Sequence, residues 1–329
     1  MRHRWLAPLT PLYAAGLALR NRRIENGSEP VRRLRYPVVS IGNLSTGGAG
    51  KTPLTIALAL ALQKHGLRVD VLSRGYGRQS KLAARVNPSG TSEDFGDEPL
   101  LIAREIGLPV YVASQRYDAG LLAEADAQPI SEQNHQSIIH LLDDGFQHRQ
   151  LARDVNILLL DSRDWQDTLL PAGNLREPLS AIHRANVIAI PADVPELESE
   201  LRTWGWQGPI WRLRRSMEIP VASGRMAAFC GIARPEQFFA GLEAAGLQLA
   251  ARAAFPDHHR YTAHDLDRLI SAAHAAGATA VITTEKDLVR MGSLAFTFPV
   301  SMPLKTAHLR IEIENQAAAI DWLINCLAS

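Results

Sequence analysis

The sequence predicts an α/β protein: a doubly wound, mostly parallel sheet, a second and smaller α/β domain, and an amino-terminal membrane-associating helix. Three observations carry this. Short apolar runs alternate with helical patterns along most of the chain, the arrangement that gives parallel strands joined by helical crossovers. The pattern breaks and then restarts near residue 220. The first 36 residues set an uncharged run between clusters of arginine.

Those residues carry eight arginines against Glu25 and Glu29, a net charge of +6. The uncharged run is 5–19. As a helix it would span ~22 Å, short of the ~30 Å hydrocarbon core of a bilayer. Pro8 and Pro11 weaken it further as a spanning helix. No small-residue cleavage signal follows, which argues against a secretory leader. Two readings stand level: an interfacial anchor, with Trp5, Leu6, Leu9, Leu12, Tyr13, Leu17 and Leu19 in the bilayer and arginines on anionic headgroups, or a helix packed on the protein's own core; a short true span is the third alternative.

The apolar run 37–41 reads as the first strand. It leads into Ser45, Thr46, Gly47, Gly48, Ala49, Gly50, Lys51 and Thr52, and then into an apolar helical pattern over 53–64. Strand, glycine-rich loop, lysine, hydroxyl and helix make a phosphate-binding P-loop, so the sheet is of the P-loop NTPase type. The glycines let successive backbone N–H groups face an anion, Lys51 adds charge near the β- and γ-phosphates, and Thr52 offers a hydroxyl to Mg²⁺. Ser45 stands where the usual pattern has glycine.

Further strands are expected at 69–73, 109–113, 137–142 and 155–160, with a helix at 98–105. A domain junction falls in the Trp-, Gly- and Pro-rich stretch 205–222. The expected domains are a membrane-interface segment 1–36, a P-loop domain 37–218 and a smaller α/β domain 219–329. The last holds strands at 226–230, 247–254 and 279–283, helices at 235–245 and 263–276, and a final amphipathic helix 315–327 that could pack back on the first domain.

Composition bounds the rest. A chain of 329 residues exceeds what one core usually serves. An apolar content of 46% excludes a disordered chain, and a net charge of +1 names no partner. Cys230 and Cys326 cannot make a disulfide framework and suit a reducing compartment.

Several segments could do chemistry. Asp143 and Asp144 end an apolar strand, where a P-loop enzyme holds Mg²⁺. Two adjacent carboxylates repel unless a cation is near, which favours them over the rival Asp161, although Asp143-Asp144-Gly145 also resembles a plain turn. Asp97, before a helix, reads from spacing as an N-cap; the alternative is a carboxylate that takes a proton from an attacking hydroxyl. His258 and His259 beside Asp257 could be an acid–base pair, metal ligands or a solvated turn, and zinc is disfavoured because no further ligand stands at suitable spacing. The loop 73–78 would set Tyr76 and two arginines near bound phosphate. No Asn-Lys-x-Asp guanine-reading motif is present. Thr284-Glu285-Lys286-Asp287 has its lysine in the wrong place, so ATP is favoured over GTP.

Taken together, these segments resemble the tetraacyldisaccharide 4′-kinases of Gram-negative bacteria. The resemblance covers nearly the whole chain. It rests on Gly42-Asn43 with Gly47–Pro53, Ser73–Gly77, Gly96–Pro99, Asp143–His148, Leu170–Gly173 with Leu175–Pro178, Asp257–His259 and Thr284–Asp287. Asn174 departs from the family's usual proline. The resemblance implies Mg²⁺- and ATP-dependent phosphorylation of the 4′-hydroxyl of a tetraacyl-glucosamine disaccharide 1-phosphate, giving lipid IVA. It implies Asp97 as base with His258 as its partner from the second domain, and Thr52, Asp143 and Asp144 around the metal. Tyr76, Arg116, Asn174, Arg176 and Glu177 become candidates for the acceptor or nucleotide pocket. The expected location is the cytoplasmic face of the bacterial inner membrane, peripheral or monotopic. The expected partners are the membrane surface and its lipid substrate, with no nucleic acid and no obligate protein partner. The competing reading is a membrane-associated P-loop ATPase that acts as a switch for a protein partner.

Overall fold

The computed structural model describes residues 4–48, 50–127, 138–220 and 224–328; Arg2 of the eight arginines, Ala49 of the phosphate loop and Ser137 at the start of the expected strand 137–142 lie outside them. Twelve strands are described: β1 Val38–Asn43, β2 Arg68–Ser73, β3 Ala84–Arg85, β4 Val110–Val112, β5 Ile138–Asp143, β6 Val155–Leu159, β7 Val187–Pro191, β8 Ile210–Glu218, β9 Met226–Cys230, β10 Leu249–Ala254, β11 Ala280–Thr284 and β12 Leu304–Ile313. The helices are α1 Thr10–Glu25, α2 Lys51–Lys64, α3 Ser92–Phe95, α4 Asp97–Ile106, α5 Arg116–Asp126, α6 Ser162–Trp165, α7 Pro195–Thr203, α8 Pro235–Ala244, α9 Ala263–Ala275, α10 Glu285–Met291 and α11 Gln316–Ala328.

The strands form one sheet in the order β10-β9-β11-β12-β8-β7-β6-β1-β5-β2-β4-β3. Neighbours run parallel except β3 with β4 and β12 with β8. The antiparallel β8–β12 pair, in register from Leu213↔Ile313 to Glu218↔His308, joins two parallel blocks into one mixed sheet. The stretch expected to be a junction therefore contains a nine-residue strand. Arginines 212, 214 and 215 disguise it as loop in the sequence, while Trp211 and Leu213 next to them are buried. β7 and β12 are likewise strands beyond those expected.

The central strands are apolar because both faces are covered. β1 and β5 are buried at every position. On one face α2 sets Leu54, Leu58 and Leu62 against Val39 and Leu141, and α11 returns Ile320 and Leu323 to the same core. On the other, Leu44, Phe146, Ile188 and Trp206 form a second core. β9, β10 and β11 carry their own, around Phe229 and Tyr261.

The amino-terminal run is not one helix. Arg4–Leu9 forms a 3₁₀ turn holding Pro8, and α1 follows with Pro11 in its first turn, where a missing N–H costs little. Along α1 only Ile24 is buried, while Trp5, Leu9, Leu12 and Leu19 are exposed. The helix touches the body through Tyr13 and Arg20, which donate to the carbonyls of Arg176 at 2.8 Å and Gln147 at 3.0 Å. Among the described residues, no helix is long and apolar enough to cross a membrane.

Candidate active site

The phosphate loop leaves the carboxyl end of β1, where a doubly wound sheet binds ligands. Gly47 and Gly50 have φ of 95° and 91°, open to glycine and strained for other residues. A Cβ at Gly50 would also stand 3.0 Å from Ile311 Cδ1 on β12. α2 begins at Lys51, two residues earlier than the pattern suggested, so Lys51 and Thr52 occupy its first turn. Lys51 Nζ donates to Asn43 Oδ1 at 2.9 Å and lies 3.7 Å from Asp144 Oδ1. Asn43 Nδ2 donates to Ser45 Oγ at 3.1 Å, and the Thr46 N–H donates to the Asn174 carbonyl at 2.8 Å.

Asp143 and Asp144 end β5 and have different environments. Asp144, in the left-handed region at φ 49°, receives Arg176 at 3.0 and 3.2 Å. Burial raises its pKa, but Lys51 and Arg176 outweigh that and bring it down to about 2. Asp143 accepts the Thr55 hydroxyl at 3.1 Å. Burial, with Asp144 and Glu98 adding repulsion, pushes it up to about 6. A buried carboxylate held at that level beside a second one, in a cleft that Thr52 also lines, fits a divalent cation. Asp161 is placed differently: it caps α6 and pairs with Arg234 at 3.1 Å.

Asp97 opens α4, across the cleft. It follows Gly96 at φ 89°, where a Cβ would meet the Gly75 Cα at 2.9 Å. Only glycine lets the two backbones close together there, and this contact seats the Tyr76 loop against Asp97. Asp97 Oδ2 takes Arg290 Nε at 2.6 Å and lies 3.0 Å from His258 Nδ1. Burial pushes the Asp97 pKa up, but His258 and Arg290 hold it below its usual value. The hydrogen bond to Asp97 raises that of His258. His258 and His259 diverge. His258 sits at φ 59° with its ring against Tyr76, whereas His259 stacks on Phe255 and pairs with Asp265.

Beside this pair, Glu98 binds Lys286 at 2.9 Å. Arg290 is anchored by Asp287 at 3.2 Å and by the Gly231 carbonyl. Asp287 in turn accepts from the Tyr261 hydroxyl at 2.9 Å and from the Gly231 N–H at 3.0 Å. Sequence reasoning missed Arg290 and Lys286 as site residues. Their one local signal is Asp287 and Arg290 three apart on a short helix, a spacing that places side chains together.

Lys51, Glu98, His258 and Lys286 line one cleft of about 1100 Å³ between the blocks, with Tyr76, Arg116, Asp143, Asp144 and Arg176 among its walls; Asp97 and Arg290 are not among its lining residues. Arg116 is buried, and burial brings its pKa down to about 10. Asn174 and Glu177 do not line the cleft. Asn174 Nδ2 donates to Asp167 and its carbonyl steadies Thr46, while Glu177 is buried against Arg184.

Comparison with known proteins agrees with this geometry. Residues 2–328 match the family model described as tetraacyldisaccharide-1-P 4′-kinase. The chain is 38% identical over 331 residues to the tetraacyldisaccharide 4′-kinase of Koribacter versatilis, covering 97% of this chain and 98% of that one. It is 38% identical over 297 residues to that of Neisseria gonorrhoeae, covering 87% and 82%. The crystal structure of LpxK from Aquifex aeolicus in complex with ATP is similar at a TM-score of 0.74 and 30% identity, covering 98% of both chains.

Proposed function

The chain belongs to the tetraacyldisaccharide-1-phosphate 4′-kinase family, and from that premise we propose how its cleft performs the family's reaction. It is an ATP-dependent kinase of lipid A biosynthesis. It moves the γ-phosphate to the 4′-hydroxyl of a tetraacyl-glucosamine disaccharide 1-phosphate, giving lipid IVA. The single observation that supports the mechanism is that Lys51 of the phosphate loop and His258 line one cleft, with Asp97 Oδ2 3.0 Å from His258 Nδ1.

Backbone N–H groups of the loop and the Lys51 ammonium hold the triphosphate. The apolar wall of Met217, Ile232, Phe238 and Leu309, beyond the loop on the β8 side, receives the nucleoside. Thr52 with Asp143 or Asp144 would hold Mg²⁺, which supplies screening of phosphate charge. Asp97 Oδ1 faces the acceptor, because Oδ2 already holds His258 and Arg290. The 4′-oxygen attacks Pγ, the bond from Pγ to the β–γ bridging oxygen breaks, ADP leaves, and Asp97 takes the hydroxyl proton. A carboxylate is a weak base, so transfer comes late in a loose transition state and alignment does most of the work. We propose that residues 37–218 and 219–329 close as two domains around this cleft and exclude water.

The acceptor's acyl chains stay in the bilayer, since extraction costs ~0.8 kcal/mol per CH₂. The exposed Trp5, Leu9, Leu12 and Leu19, followed by Arg22 and Arg23, therefore seat the enzyme peripherally on the cytoplasmic face of the inner membrane.

The test is transfer of radiolabelled γ-phosphate to purified acceptor in detergent micelles. Label on the lipid is expected from the wild type. Lys51→Ala and Asp97→Ala are each expected to lose at least about 100-fold while staying folded. Release of label only as inorganic phosphate would overturn the kinase reading.

A further inference from the structure

Arg290 takes no step in the reaction described above and does not line the cleft, yet each nitrogen of its guanidinium has a partner. Nε donates to Asp97 Oδ2 at 2.6 Å. Nη1 donates to Asp287 Oδ1 at 3.2 Å and to the Gly231 carbonyl. Nη2 lies 3.4 Å from His258 Nδ1 and 3.9 Å from Asp257 Oδ1. The side chain is 4% exposed, and a charge so deeply buried is costly unless it is paired and hydrogen-bonded. Its anchors are buried too. Asp287 is wholly enclosed. Its Oδ1 accepts from the Tyr261 hydroxyl at 2.9 Å and the Gly231 N–H at 3.0 Å, and its Oδ2 accepts from the Thr284 hydroxyl at 2.6 Å. Tyr261 is held edge-on against Phe229, Phe255 and His259. The Gly231 carbonyl, just past β9, ties the two partners of Asp97 together, because it accepts Arg290 Nη1 and also the His258 N–H, at 3.2 Å. A Cβ at Gly231 would stand 3.1 Å from the Tyr261 hydroxyl oxygen and 3.2 Å from His259 Cβ, so this close approach favours glycine. One block thus presents a guanidinium and an imidazole, fixed relative to each other, to a carboxylate on the other.

The terminal torsion of an aspartate is broad, so a carboxylate held by one donor still turns. Two donors from separate elements restrict it. We propose that Arg290 is a positioning residue for Asp97: held by Asp287, Tyr261 and Gly231, it locks Oδ2 and leaves Oδ1 as the oxygen that meets the acceptor hydroxyl. This rests on the kinase reading and deepens it. Arg290 and Asp97 belong to different blocks, so the base reaches its working geometry where the blocks meet. α10 repeats the contact with its other cation, Lys286, which binds Glu98 at 2.9 Å. The charged groups around the pair are His258 and Asp257 from the loop after β10, Arg290 and Lys286 from α10, and Glu98 next to Asp97 on α4. Burial pushes Asp97 up, and His258 and Arg290 bring it below its usual value. Arg290 therefore contributes both charge and geometry, and substitution separates the two.

The micelle assay is run across pH for the wild type, Arg290→Met, Arg290→Lys and Tyr261→Phe. Arg290→Met should lower kcat ~100-fold, the scale of a misplaced reacting group, with the KM for ATP unchanged. Its acid limb of kcat/KM should move to higher pH, because Asp97 loses a cation that favours its ionised form. Arg290→Lys should return that limb to the wild-type position and recover only part of kcat, since an ammonium keeps the charge but cannot span Asp97, Asp287 and Gly231 together. Tyr261→Phe keeps the ring packing and removes one hydroxyl; it should lower kcat ~3–10-fold, the scale of one hydrogen bond. Wild-type kcat in Arg290→Met would overturn the positioning role. So would a loss of kcat with the acid limb unmoved, or full recovery of kcat by lysine. Where Arg290→Met fails to fold, Tyr261→Phe decides, and an unchanged kcat in that variant overturns the role. All of these results leave the kinase reading intact, whereas a wild type that puts no label on the lipid acceptor would remove it.

Discussion

At the scale of single residues, Asp97 has to remain ionised while partly buried. It does so by pairing across the cleft with His258 and Arg290, and its pKa falls while that of His258 rises. The two shifts set a pH window. A depressed carboxylate contributes stability that is fully present above its unfolded pKa of about 3.9 and is lost as pH falls through the lower folded value. A raised imidazole contributes stability that is present below its unfolded pKa of about 6.5 and is lost as pH rises through the higher folded value. The pair therefore stabilises most between about pH 4 and 6.5. The Tm difference between wild type and His258→Ala should be largest near pH 5.5 and shrink by pH 9. A difference independent of pH would mean that His258 serves packing rather than charge. The motif Gly96-Asp97-Glu98-Pro99 marks a helix start with Asp97 as its expected N-cap; the structure makes Gly96 the N-cap, with no side-chain cap bond, and Asp97 the first residue of α4. Arg290 was not legible, because 193 residues separate it from Asp97, and no local spacing encodes such a contact.

At the scale of elements, α2, α4 and α10 do most of the positioning. α2 presents Lys51 and Thr52 because Gly50 turns the chain into it. α4 and α10 lie against each other, linked by Glu98–Lys286 and Asp97–Arg290, so the base is held by residues from both blocks. These elements were readable where a turn or cap residue marked them. β8 and β12 were not readable, because edge-like alternation with arginine looks the same as a loop until a partner strand is known. α1 is the clearest case of incomplete information. Its sequence left membrane contact and self-packing level. One face touches the body through Tyr13, Arg20 and Ile24, and the other leaves Trp5 78% and Leu12 71% accessible. The double change Trp5→Ala and Leu12→Ala should weaken binding to anionic vesicles by about tenfold or more, given roughly 1.5–3 kcal/mol for burying a large apolar side chain. Unchanged vesicle affinity would show that this face does not meet lipid.

At the scale of the whole molecule, the fold class was legible because a parallel sheet writes itself as apolar runs at helix-length intervals. The join between its halves was not. A restart in pattern near residue 220 suggested a domain boundary, and the strands of the two blocks pair into one sheet at the antiparallel β8–β12 contact. The cleft sits at that join, which explains why the phosphate loop meets Ile311 from β12 and why Asp97 meets His258. Charge is arranged on the same plan: acidic groups at the end of β5 and cations around them. The central claim is geometric. A nucleotide seated on residues 47–52 presents its terminal phosphate to a hydroxyl held by Asp97. A crystal structure with a non-hydrolysable ATP analogue and Mg²⁺ tests it most directly. The γ-phosphate is expected beside Lys51, with Asp97 Oδ1 turned toward it. A triphosphate bound elsewhere, with the loop empty, would contradict it.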